Sequence, residues 1–450
     1  MRVRAAALVL LLAPSLALAN GRAPLTNGVH FQPGDSHSLF VASTFGLLVS
    51  HDDGCTFDWV CEDAIGYAGT FDPKYAITTD GSIYATTFKG LHVSRDGGCS
   101  FQVVTSELAD GDPAKFSNVW VDALDIGPTG EVWAGTAENG VINNFLSSKD
   151  GGHTFTPTGL ASAEIWWKSV KVAPSDDQRI YVTGYQVAGT LADGGQMAPT
   201  THLLRSDDDG AHWNPSALAG VVFGTTPIVL VSAVDPTNKD IVFVTSLGGG
   251  THSGDRLYRS TDGGATLDEV LVAADTIRDV VIRDADHVMV ATLADGTYAS
   301  SDGGKTFAKQ DGTPQLACLG QRGDGKLFGC GANWDPDFKA VALSADGATW
   351  SKVFRFVELN GPLACPEGTP EHDSCAVAWP SLQTQFGATG SKCGLAPDGP
   401  PADSPAVVPP KKPGGCCDAG AGAPASVLFG LGIGALVLRR RRHRASRHDG

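Results

Sequence analysis

The stretch Ser148–Phe155, which reads SKDGGHTF, carries the pattern that decides the fold of this chain. Six further stretches repeat its order of Ser, Asp, Gly and a terminal bulky residue, and the last of them is one residue shorter. Their third-position aspartates are Asp52, Asp96, Asp150, Asp208, Asp262, Asp302 and Asp346. The intervals between these aspartates run from 40 to 58 residues, which is typical of four-stranded propeller blades rather than of helical repeats.

A second repeat precedes each of these turns. Short apolar runs bounded by turn residues lie at 38–43, 82–87, 131–136, 179–184, 240–245, 287–292 and 326–331. Runs of this length and setting predict buried strands. Together with one strand before each run and two around each turn, they predict an all-β fold: a seven-bladed propeller of four-stranded blades over residues 27–357.

The residue types of the repeated turn explain what it does. Ser and Asp side chains can hydrogen-bond the backbone across a tight turn, and Gly permits the backbone angles that such a turn needs. Because the carboxylates recur in every blade, they are interpreted as structural and not as catalytic acids. Each copy resembles the Asp-box (BNR) repeat of sialidases, xyloglucanase-type glycosidases, sortilin-like receptors and photosystem II stability factors. This resemblance implies a propeller, but the fold does not choose among those functions.

Both ends of the chain resemble processing signals. Residues 1–19 combine two arginines, an apolar run and a small-x-small site before Asn20, which predicts a secretory signal cleaved after Ala19. Residues 416–450 begin with Cys416 and Cys417, continue into an apolar stretch and end in an arginine cluster. This tail resembles the MYXO-CTERM sorting signal, which implies cleavage near the two cysteines by a membrane sorting protease and display at the cell surface. A plain membrane anchor remains the alternative.

A cysteine-containing appendage is predicted after the last blade, at 358–393, followed by a Pro/Gly-rich stalk at 394–415. In an exported chain the cysteines favour disulfides over metal ligands, and no metal or cofactor motif is present. Cys318 and Cys330 flank a predicted hairpin and are expected to pair. Cys365 with Cys375 is a plausible second pair, although Cys393 competes. The remaining cysteines, Cys55, Cys61 and Cys99, are left unassigned.

The charge balance restricts the partners. The 450 residues carry 33 Lys and Arg against 49 Asp and Glu, a net charge of −16. Without both terminal segments the charge falls to about −22, a surface that repels polyanions and argues against nucleic acid. We therefore expect a monomer whose partner is a glycan or a surface protein.

An enzyme would need a site apart from the repeated turns. A sialidase needs an arginine cluster, and Arg is scarce in the blades, whereas ordinary glycoside hydrolysis needs two carboxylates across a cleft. So many acidic residues are present that no particular pair stands out. The sequence therefore favours an exported, non-catalytic binding module, with a sialidase-like or xyloglucanase-like glycoside hydrolase as the alternative.

The ligand is expected on the face opposite the repeated turns. The longest loop there is 185–201, beginning at Tyr185, and the short connection before it contains Trp166, Trp167 and Lys168. Paired Trp residues suit stacking on sugars or anchoring a protein loop, although packing between blades is the alternative. Arg278 and Asp279 lie on the connection into the sixth blade and are expected to reach the same face.

Overall fold

A computed structural model describes residues 23–68, 71–190, 196–248 and 254–390. Seven four-stranded antiparallel sheets follow one another along the chain, and each sheet contains four strands in sequence order. This confirms the all-β fold, the seven blades and the four strands per blade. The predicted signal, stalk and tail, with Ala19, Cys416 and Cys417, lie outside the described residues.

The strand bounds are as follows. Blades 1 to 3 consist of Thr26–His30, Leu39–Ser43, Gly46–Ser50 and Asp58–Val60; Tyr75–Ile77, Ile83–Thr87, Gly90–Ser94 and Gln102–Val103; and Val121–Ile126, Val132–Thr136, Asn143–Ser148 and Thr156–Ser162. Blades 4 and 5 consist of Trp166–Ala173, Asp176–Gln186, Thr200–Ser206 and Asn214–Pro215; and Val229–Val234, Val242–Ser246, Arg256–Ser260 and Asp268–Val272. Blades 6 and 7 consist of Ile277–Ile282, Val288–Thr292, Thr297–Ser300 and Ala308–Lys309; and Cys318–Gln321, Leu327–Cys330, Val341–Ser344 and Ser351–Phe354. A small hairpin, Gly189–Thr190 with Gln196–Met197, extends blade 4.

The second strand of each blade lies in the middle of the core. The strands Leu39–Ser43, Ile83–Thr87 and Val132–Thr136 are buried along their whole length, because neighbouring blades cover both faces of each sheet. This double burial explains why they read as continuous apolar runs without the polar alternation of a half-exposed strand.

The seven repeat turns (the S-x-D turns at 50–57, 94–101, 148–155, 206–213, 260–267, 300–307 and 344–350) share one hydrogen-bond pattern. In each, the Ser hydroxyl donates to the Asp carboxylate at 2.7–3.0 Å. In the turn at Asp302, the carboxylate also accepts the backbone N–H and the hydroxyl of Thr306. Hydrogen bonds from Ser300 and Thr306 hold the pKa of Asp302 well below its usual value. The aspartates are thus ionised acceptors that close the turns.

A glycine of each turn also makes the contact between blades. Gly210 in blade 4 has a φ of +79°, and a Cβ there would lie 2.9 Å from the Trp133 ring of blade 3. A Cβ at Gly304 in blade 6 would lie even closer to the Phe243 ring of blade 5. In these two cases the second-strand aromatic of one blade packs under the turn of the next, and a side chain at the glycine position would collide with it.

No strand is shared between the first and last blades, so other contacts close the ring. Thr26 Oγ1 donates to the Ala340 carbonyl at 2.6 Å, and Arg322 in blade 7 forms an ion pair with Asp53 in blade 1 at 2.5 Å. Direct contact between blades 1 and 7 therefore includes a side-chain hydrogen bond and an ion pair, and the segment after blade 7 adds further contacts.

The appendage after blade 7 covers the outer edge of blade 1. Its segment 361–363 pairs with the last strand of blade 1, since the Trp59 N–H donates to the Gly361 carbonyl at 2.8 Å and the Leu363 N–H donates to Trp59 at 2.9 Å. A helix at Ala376–Phe386 follows, and its Phe386 ring packs on Phe45 at 5.0 Å. Within the described ranges, no helix is long and apolar enough to cross a membrane.

The disulfides correct one predicted pairing. Cys318 joins Cys330 across a hairpin of blade 7, but Cys365 does not join Cys375. Cys365 pairs with Cys99 and Cys375 pairs with Cys61. The reason is geometric: the appendage extends beside blade 1 instead of folding back on itself, so its cysteines meet those of blades 1 and 2. These two disulfides fasten the end of the ring to its beginning.

Candidate functional site

The up-and-down order of the strands gives the propeller two different faces. The repeat turns join the third and fourth strands and form one face. The opposite face, here called the loop face, carries the loops between second and third strands and the connections between blades. The first strands of all seven blades surround a central channel that runs between these faces.

Trp166 and Trp167 lie in the interior between blades, which is the packing alternative and not an open surface. Trp167 is only 1% exposed, and its indole N–H donates to the Asn143 carbonyl at 3.2 Å. Its ring fits a space left by glycine, because a Cβ at Gly184 would lie 2.9 Å from Trp167 Cε3. The pair belongs to the first strand of blade 4, where a side chain has neighbouring blades on both sides, and not to an open connection.

Trp166 is 8% exposed and lies between two other aromatic rings. Its centroid is 5.9 Å from that of Trp120 and 5.6 Å from that of Tyr185, which is itself buried. Tyr185, with which the predicted long loop begins, is thus an interior residue as well. These three rings lie just beneath the loop face and support it from within.

The other three predicted residues line the central channel. Lys168 is buried, and its Nζ lies 2.6 Å from the Asp122 carboxylate of blade 3. Asp279 accepts the Leu319 N–H of blade 7 at 2.9 Å, while Arg278 is exposed. The six residues thus divide between an aromatic layer and the channel.

The channel has a volume of about 1050 Å³ and contains ionisable side chains from five blades. Sequence reasoning missed His30, Lys74, Asp125 and Lys171, which lie on or beside first strands of four different blades. These residues recur at intervals of about one blade, and this spacing could have identified them, because equivalent positions of first strands face one another across the axis.

Burial and charge alter the acid–base behaviour of these groups. Burial lowers the pKa of Lys74 to about 8, against the opposing effect of Asp122, whose carboxylate lies 3.0 Å from Lys74 Nζ. The charge of Asp125, 3.3 Å away, raises the pKa of Lys171. Burial raises the pKa of Asp279 to about 6. At neutral pH these lysines are therefore protonated and paired with carboxylates.

The carboxylates of Asp122 and Asp125 are fully engaged within the channel wall. Both oxygens of Asp122 contact lysines, and those of Asp125 contact Lys171 and the Val172 N–H. Within the described ranges no group of three or more His, Cys, Asp or Glu residues is placed to hold a metal ion.

Apolar side chains are exposed mainly on the loop face. Among the described residues, Ile142 is 62% exposed, Phe88 42%, and Val141, Val222 and Trp334 about as much as Phe88. All five lie in loops between second and third strands or in connections between blades. The repeat turns contribute none of the exposed large hydrophobic residues in the part of the chain that the structure describes.

A continuous aromatic stack supports part of this surface. The Phe88 ring lies 4.7 Å from Phe71 and 5.1 Å from Trp120, which in turn contacts Trp166. Glu138 fixes the backbone here, since its carboxylate accepts the Trp120 N–H at 3.2 Å. We call Phe71, Phe88, Trp120, Val141 and Ile142 the loop-face patch. Phe88, one of its exposed members, thus rests on buried aromatic rings.

The comparisons with known proteins concern this fold. No family model matches the chain. A 135-residue part is 32% identical to a xyloglucanase of Hypocrea jecorina (strain QM6a), over 28% of this chain and 15% of that protein. An ancestral GH74 enzyme superimposes with a TM-score of 0.54 at 13% identity, covering 77% of this chain and 47% of that one. YCF48 from Cyanidioschyzon merolae gives 0.45 at 16% identity, over 68% and 93%.

The similarity to the ancestral GH74 enzyme concerns the fold, and the seven blades themselves are seen in the strand topology. The chain spans about half of the GH74 structure and less than a sixth of the curated xyloglucanase. At such identities the likeness shows the fold alone, and the fold does not decide between a hydrolase and a binding propeller.

Proposed function

We propose that this protein is a non-catalytic binding propeller that recognises a protein or glycan through its loop face. The observation that supports this most strongly is the concentration of exposed apolar side chains there, above the ordered aromatic stack. Scattered exposed apolar residues are ordinary, but a patch built from loops of adjacent blades is typical of an interaction surface.

In this proposal the ion pairs of the central channel have a structural role. Its lysines are matched by Asp122 and Asp125, so they stabilise the packing of first strands around the axis. A hydrolase would instead need two carboxylates free to exchange protons with a substrate.

A binding assay with matched variants tests the proposal. Ile142→Asp places a charge in the loop-face patch, whereas Val377→Asp makes the same change on the appendage helix, where Val377 is 81% exposed. Against arrays of glycans and of bacterial surface proteins, we expect Ile142→Asp to abolish the binding that the unmodified chain shows, and Val377→Asp to retain it. Equal binding by both variants would contradict a loop-face site.

The alternative is a xyloglucanase-like hydrolase, which the local identity to the Hypocrea jecorina enzyme keeps under consideration. Release of reducing ends from xyloglucan or a sialoside, lost on Asp279→Asn but not on Val377→Asp, would favour this alternative. Asp279 is chosen because burial raises the pKa of its carboxyl to about 6, within the range of a general acid.

We further propose that the chain is exported and displayed at the cell surface as a monomer. The predicted signal before Asn20 and the Cys416-Cys417 tail support this. Amino-terminal sequencing of the mature protein should begin at Asn20, and a Cys416→Ser/Cys417→Ser variant should remain in the membrane fraction unprocessed by the sorting protease. Retention of the full amino terminus inside the cell would contradict export.

A further inference from the structure

We propose that the loop-face patch binds a cationic amphipathic peptide segment, one in which aliphatic or aromatic side chains alternate with Lys or Arg. This inference rests on the proposed function and adds the chemical class of the partner. It follows from three features of blades 2 and 3: an apolar centre, an acidic surround and a rigid base.

The apolar centre consists of three exposed side chains. Phe88 comes from the loop between the second and third strands of blade 2, and Val141 and Ile142 come from the equivalent loop of blade 3. Side chains at the tips of two neighbouring loops suit the alternating side chains of an extended or helical peptide, which reach them on one face.

The acidic surround comes from the adjoining segments of the same face, 61–73, 88–89, 104–120, 137–142 and 163–165. These segments contain eight carboxylates and two lysines, and one of the lysines, Lys115, is held 2.8 Å from Asp110. Glu107, Asp110 and Asp112 are all exposed on the connection between blades 2 and 3. The connection adjoins the patch, because the Asn118 N–H donates to the Lys89 carbonyl at 2.9 Å.

This distribution excludes some partners on electrostatic grounds. An acidic peptide or an anionic polysaccharide would meet like charge around the patch, whereas a neutral glycan would gain nothing from the surround. A cationic segment gains both a faster encounter and a polar rim around its apolar contacts.

The base of the patch contains a buried hydrogen-bond donor without a partner in the described structure. The Trp120 ring is 95% buried between Phe88 and Trp166, and its indole N–H has no hydrogen-bond partner in the described structure. A buried donor beneath an exposed ring is available to a backbone carbonyl of the peptide if Phe88 shifts on binding.

Three peptides of equal length test the chemistry with the full chain. The first alternates Lys with Leu and Trp, the second replaces every Lys by Glu, and the third replaces every apolar residue by Ser. By fluorescence anisotropy we expect the first to bind at least about tenfold more tightly than either of the others, and to weaken as salt rises. Equal binding of the first two peptides would overturn the charge argument, and equal binding of the first and third would overturn the apolar one.

Matched variants locate the site. Ile142→Ser should weaken the first peptide by about tenfold, while Val377→Ser should leave it unchanged. The triple change Glu107→Gln/Asp110→Asn/Asp112→Asn should weaken binding several-fold at low salt and hardly at all at high salt. Unchanged melting temperatures exclude misfolding as the cause.

The outcomes separate this inference from the proposed function. If a neutral glycan or an acidic protein binds and Ile142→Asp abolishes that binding, the loop-face function stands and the cationic partner is wrong. If the loop-face variants alter no binding at all, both are wrong.

Discussion

Replacing Trp167 by Ala gives the sharpest test of the aromatic layer beneath the loop face. The side chain is almost completely buried, its ring fills the space over Gly184, and its indole N–H satisfies the Asn143 carbonyl. Truncation of a buried Trp costs roughly 3–5 kcal/mol through lost burial and the cavity left behind. The unpaired Asn143 carbonyl adds about 1 kcal/mol or more. The free energy of unfolding should therefore fall by roughly 4–6 kcal/mol.

The assay is equilibrium urea unfolding followed by far-ultraviolet circular dichroism, which does not depend on Trp emission. Trp334→Ala is the control, because Trp334 is 38% exposed on the same face and its removal should cost at most about 1 kcal/mol. If Trp167→Ala unfolds at the same urea concentration as Trp334→Ala, Trp167 is not a packing residue and the reasoning from burial fails.

Three further changes test the repeat turns, the disulfide that fastens the appendage to blade 1, and a buried acid. Asp150→Ala removes the acceptor of the Ser148 hydroxyl and of nearby backbone N–H groups, so urea unfolding should show a loss of about 1–3 kcal/mol; an unaltered midpoint would contradict the structural role. Cys61→Ala/Cys375→Ala should cost about 2–4 kcal/mol and make the appendage sensitive to limited proteolysis, and a protease-resistant appendage would argue against a clamp. Burial raises the pKa of Glu371 to about 7, so folding stability falls as pH rises from about 4.3 towards 7; Glu371→Gln should therefore stabilise the protein at pH 8 and not at pH 4. Stability gains equal at both pH values would refute that assignment.

The blade count could be predicted because one local solution is used seven times. A turn such as 300–307 needs Ser, Asp and Gly at fixed positions to satisfy its own hydrogen bonds, and the strand before it needs an unbroken apolar run. These are local requirements, so they appear directly in the sequence. The helix at Ala376–Phe386 lies outside this repeat, in the appendage that the sequence sets apart from the blades.

The Trp pair shows what local reasoning lacks. Its position next to a long loop favoured exposure, but the first strand of blade 4 begins at Trp166 itself. What decides burial is the complementary space, a Cβ-free position at Gly184 on the second strand and another at Gly135 in blade 3. Nothing in the sequence near Trp167 identifies Gly135 as its neighbour, because they belong to different blades. The cysteine pairing failed similarly, since Cys61 and Cys375 are 314 residues apart.

The charges of the molecule are divided between its interior and its loop face in a way that bears on the partner. In the channel, Lys74 and Lys168 share Asp122 as their partner, and Lys171 pairs with Asp125. Cations held in these ion pairs offset little of the acidity outside, and the loops around the patch have few lysines of their own. The exposed carboxylates Glu107, Asp110 and Asp112 therefore lie beside the exposed apolar side chains of the patch. A partner that combines positive charge with apolar anchors gains binding free energy from both features, whereas a partner with only one of them gains from that one alone.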